Sequence, residues 1–195
     1  SSVGLSPSTK YWYRVYALDA FDNVSANSNI ASATTNADSL PPTILYVTSP
    51  VSNGSYGIGT SIPIRVLFSE TVQVAGTPTL ALNSGAVVNY AGGSGSLTLE
   101  FGYAVAAGQN SPDLDYVSTT SLTLNGGTIK DLAGNPAVLT LPAPGGTGSL
   151  GASGNIVIDT TPPPGTLSSI SPTLTKSGPV TYSIIYAGAN AVTLS

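Results

Sequence analysis

The 195-residue chain has a net charge of −4, and only 7% of its residues are charged, against about 25% in ordinary soluble domains. With 41% apolar residues it has enough hydrophobic matter to fold, and low charge is the opposite of the disordered signature. The 22 glycines and 15 prolines, with few helix formers at helical spacing, exclude long helices.

The absences narrow function as well. Without cysteine there is no disulfide framework, thiolate metal site or cysteine nucleophile. Without histidine the usual general base near neutral pH and the commonest transition-metal ligand are gone. Five dispersed basic residues leave no footprint for nucleic acid. No apolar stretch approaches the roughly 20 residues that a membrane-spanning helix needs, so no membrane insertion is expected. Frequent Val, Ile, Thr and Tyr favour strands, and the expected class is all-β.

Residues 1–37 open the series of expected elements. Tyr11, Tyr13, Val15 and Ala17 alternate with Trp12, Arg14, Tyr16 and Leu18, the period of a strand. The turn-rich Asp19-Ala-Phe-Asp-Asn23 leads to a weaker strand around Ile30–Thr35. The run from Leu5 through Pro7, Thr9, Tyr11 and Tyr13 to Ala17 resembles the E–F corner and F strand of a fibronectin type III domain. That resemblance makes Tyr11 the corner tyrosine, its hydroxyl bonded to upstream backbone. It covers only the C-terminal strands of such a domain.

Two joints follow, Asp38-Ser39-Leu40-Pro41-Pro42 and Asp159-Thr160-Thr161-Pro162-Pro163, lying 159 − 38 = 121 positions apart. Proline fixes φ and removes a backbone donor, so neither joint can be absorbed into a sheet, and Pro-Pro favours extended geometry. The spacing frames one complete module, 38–160, between the piece 1–37 and a further piece, 161–195.

Within 38–160 the expected strands are Thr43–Thr48, Ile62–Ser69, Thr79–Leu82, Val87–Ala91, Ser96–Tyr103, Ser121–Leu124, Ala137–Leu141 and Asn155–Ile158. Gly/Asn/Asp clusters separate them, as in a β-sandwich. Alternation groups Ile62, Ile64, Val66 and Phe68 on one face, and Leu97, Leu99, Phe101 and Tyr103 on another. Pro63 places the start of its strand at an edge.

The combination Phe68-Ser-Glu70-x-Val72, Pro78-x-Leu80-x-Leu82, Asp113-Leu-Asp115, Leu122-x-Leu124-x-Gly126, Asp131-x-Ala133-Gly134-Asn135 and Asp159-x-x-Pro162 resembles the tandem immunoglobulin-like repeats of large bacterial adhesins. From about residue 164, Gly178-Pro-Val-Thr-Tyr182-Ser-Ile184-x-Tyr186 looks like the opening strands of another such module. The resemblance implies Ig-like and fibronectin-like sandwich modules in tandem, one complete and two partial. It further implies an extracellular or cell-surface location, with neighbouring domains of the same chain as partners and host or surface glycans or proteins as possible ligands.

Because charges are scarce, carboxylate placement carries weight. Asp113 and Asp115 flank Leu114 and would project to one side of an extended segment. Glu70 closes an expected strand, Asp131 opens a turn, and Asp38 sits in the first joint. Gathered at one pole, with Asn53 and backbone carbonyls completing the shell, they would offer the hard oxygen ligands that Ca²⁺ takes six to eight of. The related tandem repeats are stiffened by calcium between domains, which the resemblance extends to these joints. The competing reading is that these side chains cap turns, and the spacing is not that of an EF-hand loop.

No catalytic role is expected. Asp113 and Asp115 as a glycosidase pair would need a cleft. Gly92-Gly-Ser-Gly-Ser lacks the ending of a phosphate loop, and the serines lack an activating partner. Trp12 and Tyr16 on one strand face could stack a sugar or a partner, or form an exposed cross-strand ladder. The expected function is a non-catalytic, calcium-stiffened spacer or adhesive stalk of a large bacterial surface or secreted protein. The alternatives are an accessory region of an exported hydrolase and a carbohydrate-binding module.

Overall fold

The structure, a computed structural model, describes residues 4–169 and 182–186. It is all-β apart from one helical turn.

The N-terminal part is a hairpin of β1 (Lys10–Tyr13) and β2 (Ala31–Thr34), paired antiparallel from Lys10↔Thr34 to Tyr13↔Ala31. The regular strand expected to run to Leu18 ends at Tyr13, and serine hydroxyls carry the pairing onward. Val15 N–H donates to Ser28 Oγ at 3.0 Å and Ala17 N–H to Ser25 Oγ at 2.8 Å, while both serine amides return bonds to Val15 O and Ala17 O. Ser6 N–H donates to the Tyr11 hydroxyl at 2.9 Å. None of the described residues up to Ala37 is buried.

The sandwich is organised around one long strand. In chain order come β3 (Ile44–Thr48), β4 (Gly54–Tyr56), β5 (Ser61–Ala75), β6 (Thr79–Ala81), β7 (Val87–Gly92), β8 (Ser96–Ala104), β9 (Leu122–Thr123) and β10 (Thr128–Lys130). The helical turn α1 (Leu150–Ser153) and β11 (Ile156–Ile158) complete it. The main sheet runs β10-β5-β8-β7-β6-β9. The opposite edge of β5 takes β3 and β10 end to end. β3 pairs with it from Ile44↔Phe68 to Thr48↔Arg65, and β10 from Lys130↔Gln73 to Thr128↔Ala75. β11 lies parallel to β4.

Alternation along β5 decides what is inside. Ile62, Ile64, Val66, Phe68 and Val72 are all buried and meet Leu99, Phe101, Tyr103, Leu80 and Ile129 in one core. Each such side chain contributes about 1.5–3 kcal/mol. Leu97, expected on the same face as Leu99, is instead 47% exposed. It lies where the β5–β8 register breaks between Leu67↔Thr98 and Val72↔Ser96, so no partner strand covers it. Pro63 does sit where no strand pairs with one edge of β5, beyond the end of β3 at Arg65, and its carbonyl there accepts from the Ser49 hydroxyl at 2.7 Å.

Three expectations about elements change. Ala137–Leu141 is extended but not a ladder strand, because its amides go to three different neighbours: Ala137 to Ile129 O, Val138 to Pro42 O and Leu141 to Thr119 O. Pro136 and Pro142 bound it, and proline cannot donate to a continuing ladder. The expected Ile62–Ser69 strand runs on to Ala75, and Ser121–Leu124 shrinks to two residues. The short β4 and β10 carry no alternation long enough to read from sequence.

Beyond the second joint, β12 (Gly165–Ser169) and β13 (Tyr182–Tyr186) pair antiparallel. The rest of the expected third module lies outside the described residues.

Candidate functional site

Three carboxylates converge where the hairpin meets the sandwich: Asp38, Glu70 and Asp131, each offering an oxygen within 4.8 Å of the others. The topology of β5 explains the meeting. Because β3 and β10 dock end to end on one edge of β5, the lead into β3 and the exit from β10 face each other across a gap. Asp38 belongs to that lead, Asp131 directly follows β10, and Glu70 occupies the gap.

Glu70 is turned toward the joint by a bulge. Five residue steps of β5 (67 to 72) oppose two of β8 (98 to 96), leaving 5 − 2 = 3 extra residues. Plain alternation from Phe68 to Val72 would point Glu70 at the core, which a charge could occupy only at great cost. The bulge re-aims it, as bulges do, and it ends half-buried. Desolvation, then the neighbouring charges of Asp38 and Asp131, raise its carboxyl above the usual range.

Asp131 is buried and held as an anion. Burial pushes its carboxyl up, but hydrogen bonds from the Asn135 side chain and from the amides of Asn135, Gly134 and Ala133 outweigh this and lower it. Asn135 N–H donates to Oδ1 and Nδ2 to Oδ2, both at 2.7 Å. Asn135 Nδ2 also reaches Asp38 O and Leu40 O at 3.3 and 3.4 Å, tying turn to joint. Asp38 Oδ1 accepts from Leu40 N–H at 3.0 Å. Among the described residues no Lys or Arg pairs with these acids; the ion pair Arg65–Glu100 lies elsewhere on β5.

The set suits a hard cation. Calcium–oxygen distances of 2.3–2.6 Å put ligand oxygens within about 5 Å of one another, and one oxygen from each of the three carboxylates meets that condition. The three carboxylates would supply three or more of its ligands, leaving positions for water and backbone carbonyls. A cleft lined by Pro7, Ser8, Ala37, Thr71, Leu132 and Ala133 opens onto Asp38 and Glu70.

The other sequence candidates lie outside this cluster. Asp115 is buried and accepts from Tyr116 N–H at 2.8 Å and Gly145 N–H at 2.9 Å, tying down the loop before α1. Burial, then the Asp115 charge, raises the Tyr116 hydroxyl well above its ordinary value. Asp113 and Asp115 do share a side: a Cβ at Gly151 would meet Asp115 Oδ2 at 2.9 Å and Asp113 Oδ2 at 3.3 Å. Asn53 Oδ1 accepts from Asn155 N–H at 2.9 Å, fastening β4 to β11. These three belong to the α1 and β4–β11 region.

Asp159 repeats the Asp38 arrangement, its Oδ1 accepting from Thr161 N–H at 2.9 Å. The second joint is otherwise laced by neutral groups. Thr160 N–H donates to Asn110 Oδ1 at 2.8 Å and its hydroxyl to Gln109 O at 3.0 Å. Trp12 and Tyr16 are 66% and 59% exposed on the hairpin, with Lys10 Nζ 5.5 Å from the Trp12 ring centroid.

Asn135 escaped the sequence reading as a positioning residue. Its signal was present twice: Asp19 and Asn23 show the same Asp-x-x-x-Asn spacing. There too Asn23 N–H and Nδ2 bond the two carboxylate oxygens, at 2.9 and 2.8 Å. The third intervening residue has positive φ in both turns, 61° at Asp22 and 95° at Gly134.

Fold and site thus define a class: an all-β sandwich chain with an acidic joint. Set beside protein-family models, curated proteins and solved structures, the chain matches none.

Proposed function

We propose that this chain is a non-catalytic spacer or adhesive-stalk segment of a large bacterial surface or secreted protein, with calcium stiffening the joint at Asp38. The observation that carries the reading is the convergence of Asp38, Glu70 and Asp131, within 4.8 Å and without a basic partner among the described residues, at the boundary between two β-units. Left alone, these charges repel across the joint. A divalent cation removes the repulsion and ties the lead into β3 to β5 and to the β10 turn. The two Asp-x-x-Pro-Pro joints, each with its aspartate bonded to the amide two residues on, support a chain built by repetition of stiffened units. The resemblance to tandem adhesin repeats rests on the motifs quoted above and supplies the surface setting.

Calcium titration by isothermal calorimetry tests the reading. Saturable binding is expected, weakened at least about tenfold by Glu70→Gln or Asp38→Asn, since each removes a charged ligand. Asp115→Asn is expected to leave affinity unchanged, because Asp115 lies outside the cluster, its Oδ1 held by Tyr116 N–H and its Oδ2 by Gly145 N–H. Absence of heat at millimolar calcium would leave the triad as turn-capping acids and remove the stiffening role.

A further inference from the structure

Two Asn-Gly steps lie on exposed turns, Asn53-Gly54 and Asn125-Gly126, and the structure treats them differently. Asparagine loses ammonia when the following backbone nitrogen attacks its side-chain carbonyl carbon, and a following glycine offers no Cβ to obstruct that approach. At Asn53 the reacting groups are engaged. Its Oδ1 accepts from Asn155 N–H, and Gly54 N–H donates to Asn155 O at 3.0 Å within the β4–β11 pairing.

At Asn125 they are free. Only Nδ2, the departing nitrogen, is held, by a 3.2 Å bond to Thr77 O. Among the described residues, Gly126 N–H has no hydrogen-bond partner and Asn125 Oδ1 accepts none. The turn is closed by a single bond, Gly127 N–H to Leu124 O at 2.8 Å. It holds Asn125 at φ 47°, in the left-handed region that asparagine tolerates better than most residues.

We propose that Asn125 is a site of spontaneous deamidation. The Gly126 nitrogen bonds to Asn125 Cγ and gives up its proton as the Cγ–Nδ2 bond breaks, so ammonia leaves and a five-membered imide remains. Water then opens the ring. Attack at Cγ restores the ordinary backbone with aspartate at 125. Attack at the main-chain carbonyl of residue 125 gives isoaspartate, whose backbone runs through Cβ and Cγ. Water is the sole co-reactant.

The position gives the modification a mechanical consequence. Next to the turn, the backbones of Gly76 and Gly127 touch so closely that a Cβ at Gly76 would lie 2.8 Å from Gly127 Cα. The methylene that isoaspartate adds lengthens the backbone two residues before that close contact, and the shift it passes on displaces Thr128 from its pairing with Ala75. β10 leads directly into Asp131, and slow chemistry at an exposed turn therefore loosens the acidic joint.

The test is to age the folded chain at mildly alkaline pH beside a denatured sample, and to map both by peptide mass spectrometry with an isoaspartate-specific assay. In the folded chain Asn125 is expected to convert at least about tenfold faster than Asn53, whose hydrogen bonds must first be broken. In the denatured chain the two converge. The Thr128 amide, paired with Ala75 in the intact chain, exchanges faster in the aged, isoaspartate-containing fraction. Equal rates at the two sites in the folded chain, or faster conversion at Asn53, would overturn the proposal.

Discussion

Asp115 and Asp131 are both almost fully buried carboxylates, 5% and 4% exposed, and both accept backbone amides. What separates them is company. Asp115 faces Gly145 N–H and Tyr116 N–H, holds a loop and has one carboxylate neighbour, Asp113, whereas Asp131 faces two, Asp38 and Glu70. A turn cap and a candidate ligand are therefore the same chemistry in different charge surroundings. Steric economy operates at this scale too. Gly93, at φ 100°, turns the β7–β8 hairpin with its Cα against the Thr98 carbonyl, so a Cβ there would run into that oxygen; nothing lies near the equivalent position of Gly95, at φ 83°. Gly93→Ala is expected to cost more than about 2 kcal/mol and Gly95→Ala about 1 kcal/mol, read as the difference in unfolding free energy from urea titrations. Equal costs would show that the hairpin relaxes freely. The sequence marks both positions only as members of Gly92-Gly-Ser-Gly; which one is crowded depends on the strand that returns beside it.

At the scale of elements, the chain uses one turn twice. The Asp19–Asn23 and Asp131–Asn135 turns share spacing, side-chain bonds and a positive φ at the same position, although one closes an exposed hairpin and the other borders the core. Both aspartates sit below their ordinary value, Asp19 through the Asn23 side chain and then backbone amides. A lowered folded pKa contributes stability that is present above the ordinary value of 3.8 and disappears as pH falls through the folded value. Glu70 works in the opposite sense. Its folded pKa is raised above 4.5, so its ionisation opposes folding, and that penalty is relieved as pH falls through its folded value. Thermal melts across roughly pH 7 to pH 2.5 should hold steady or rise slightly as Glu70 protonates, then fall below about pH 4 as the two turns lose their charge. Asp131→Asn is expected to flatten the acid limb and Glu70→Gln to abolish the small rise. A profile unchanged in both variants would contradict these assignments.

Across the whole molecule, the two joints share a motif but differ in what secures them. The upstream joint gathers three negative groups with no basic partner among the described residues, while Thr160, Asn110 and Gln109 secure the downstream one through neutral hydrogen bonds. Neutral bonds hold with or without salt or metal; like charges do not. Under the proposed function, small-angle scattering in calcium should therefore show a narrower spread of hairpin-to-sandwich orientations than in chelator. Glu70→Gln should reduce that difference while circular dichroism of the sandwich stays unchanged. Superimposable profiles with and without chelator would sink the stiffening idea.

Composition and alternation were enough to specify an all-β chain, the buried face of β5, the turn clusters and the position of both proline joints, because these depend on local conformational preference and on period-2 side-chain direction. They did not specify which carboxylates meet. Asp38, Glu70 and Asp131 are separated by 70 − 38 = 32 and 131 − 70 = 61 residues. Asp113, Asp115 and Asn53 looked equally suited on chemistry alone. The decision came from two non-local facts: β3 and β10 share one edge of β5, and the three-residue bulge against β8 turns Glu70 out of the core. Edge sharing and bulges follow from how whole strands pack and register against one another, and no local window of sequence contains that information.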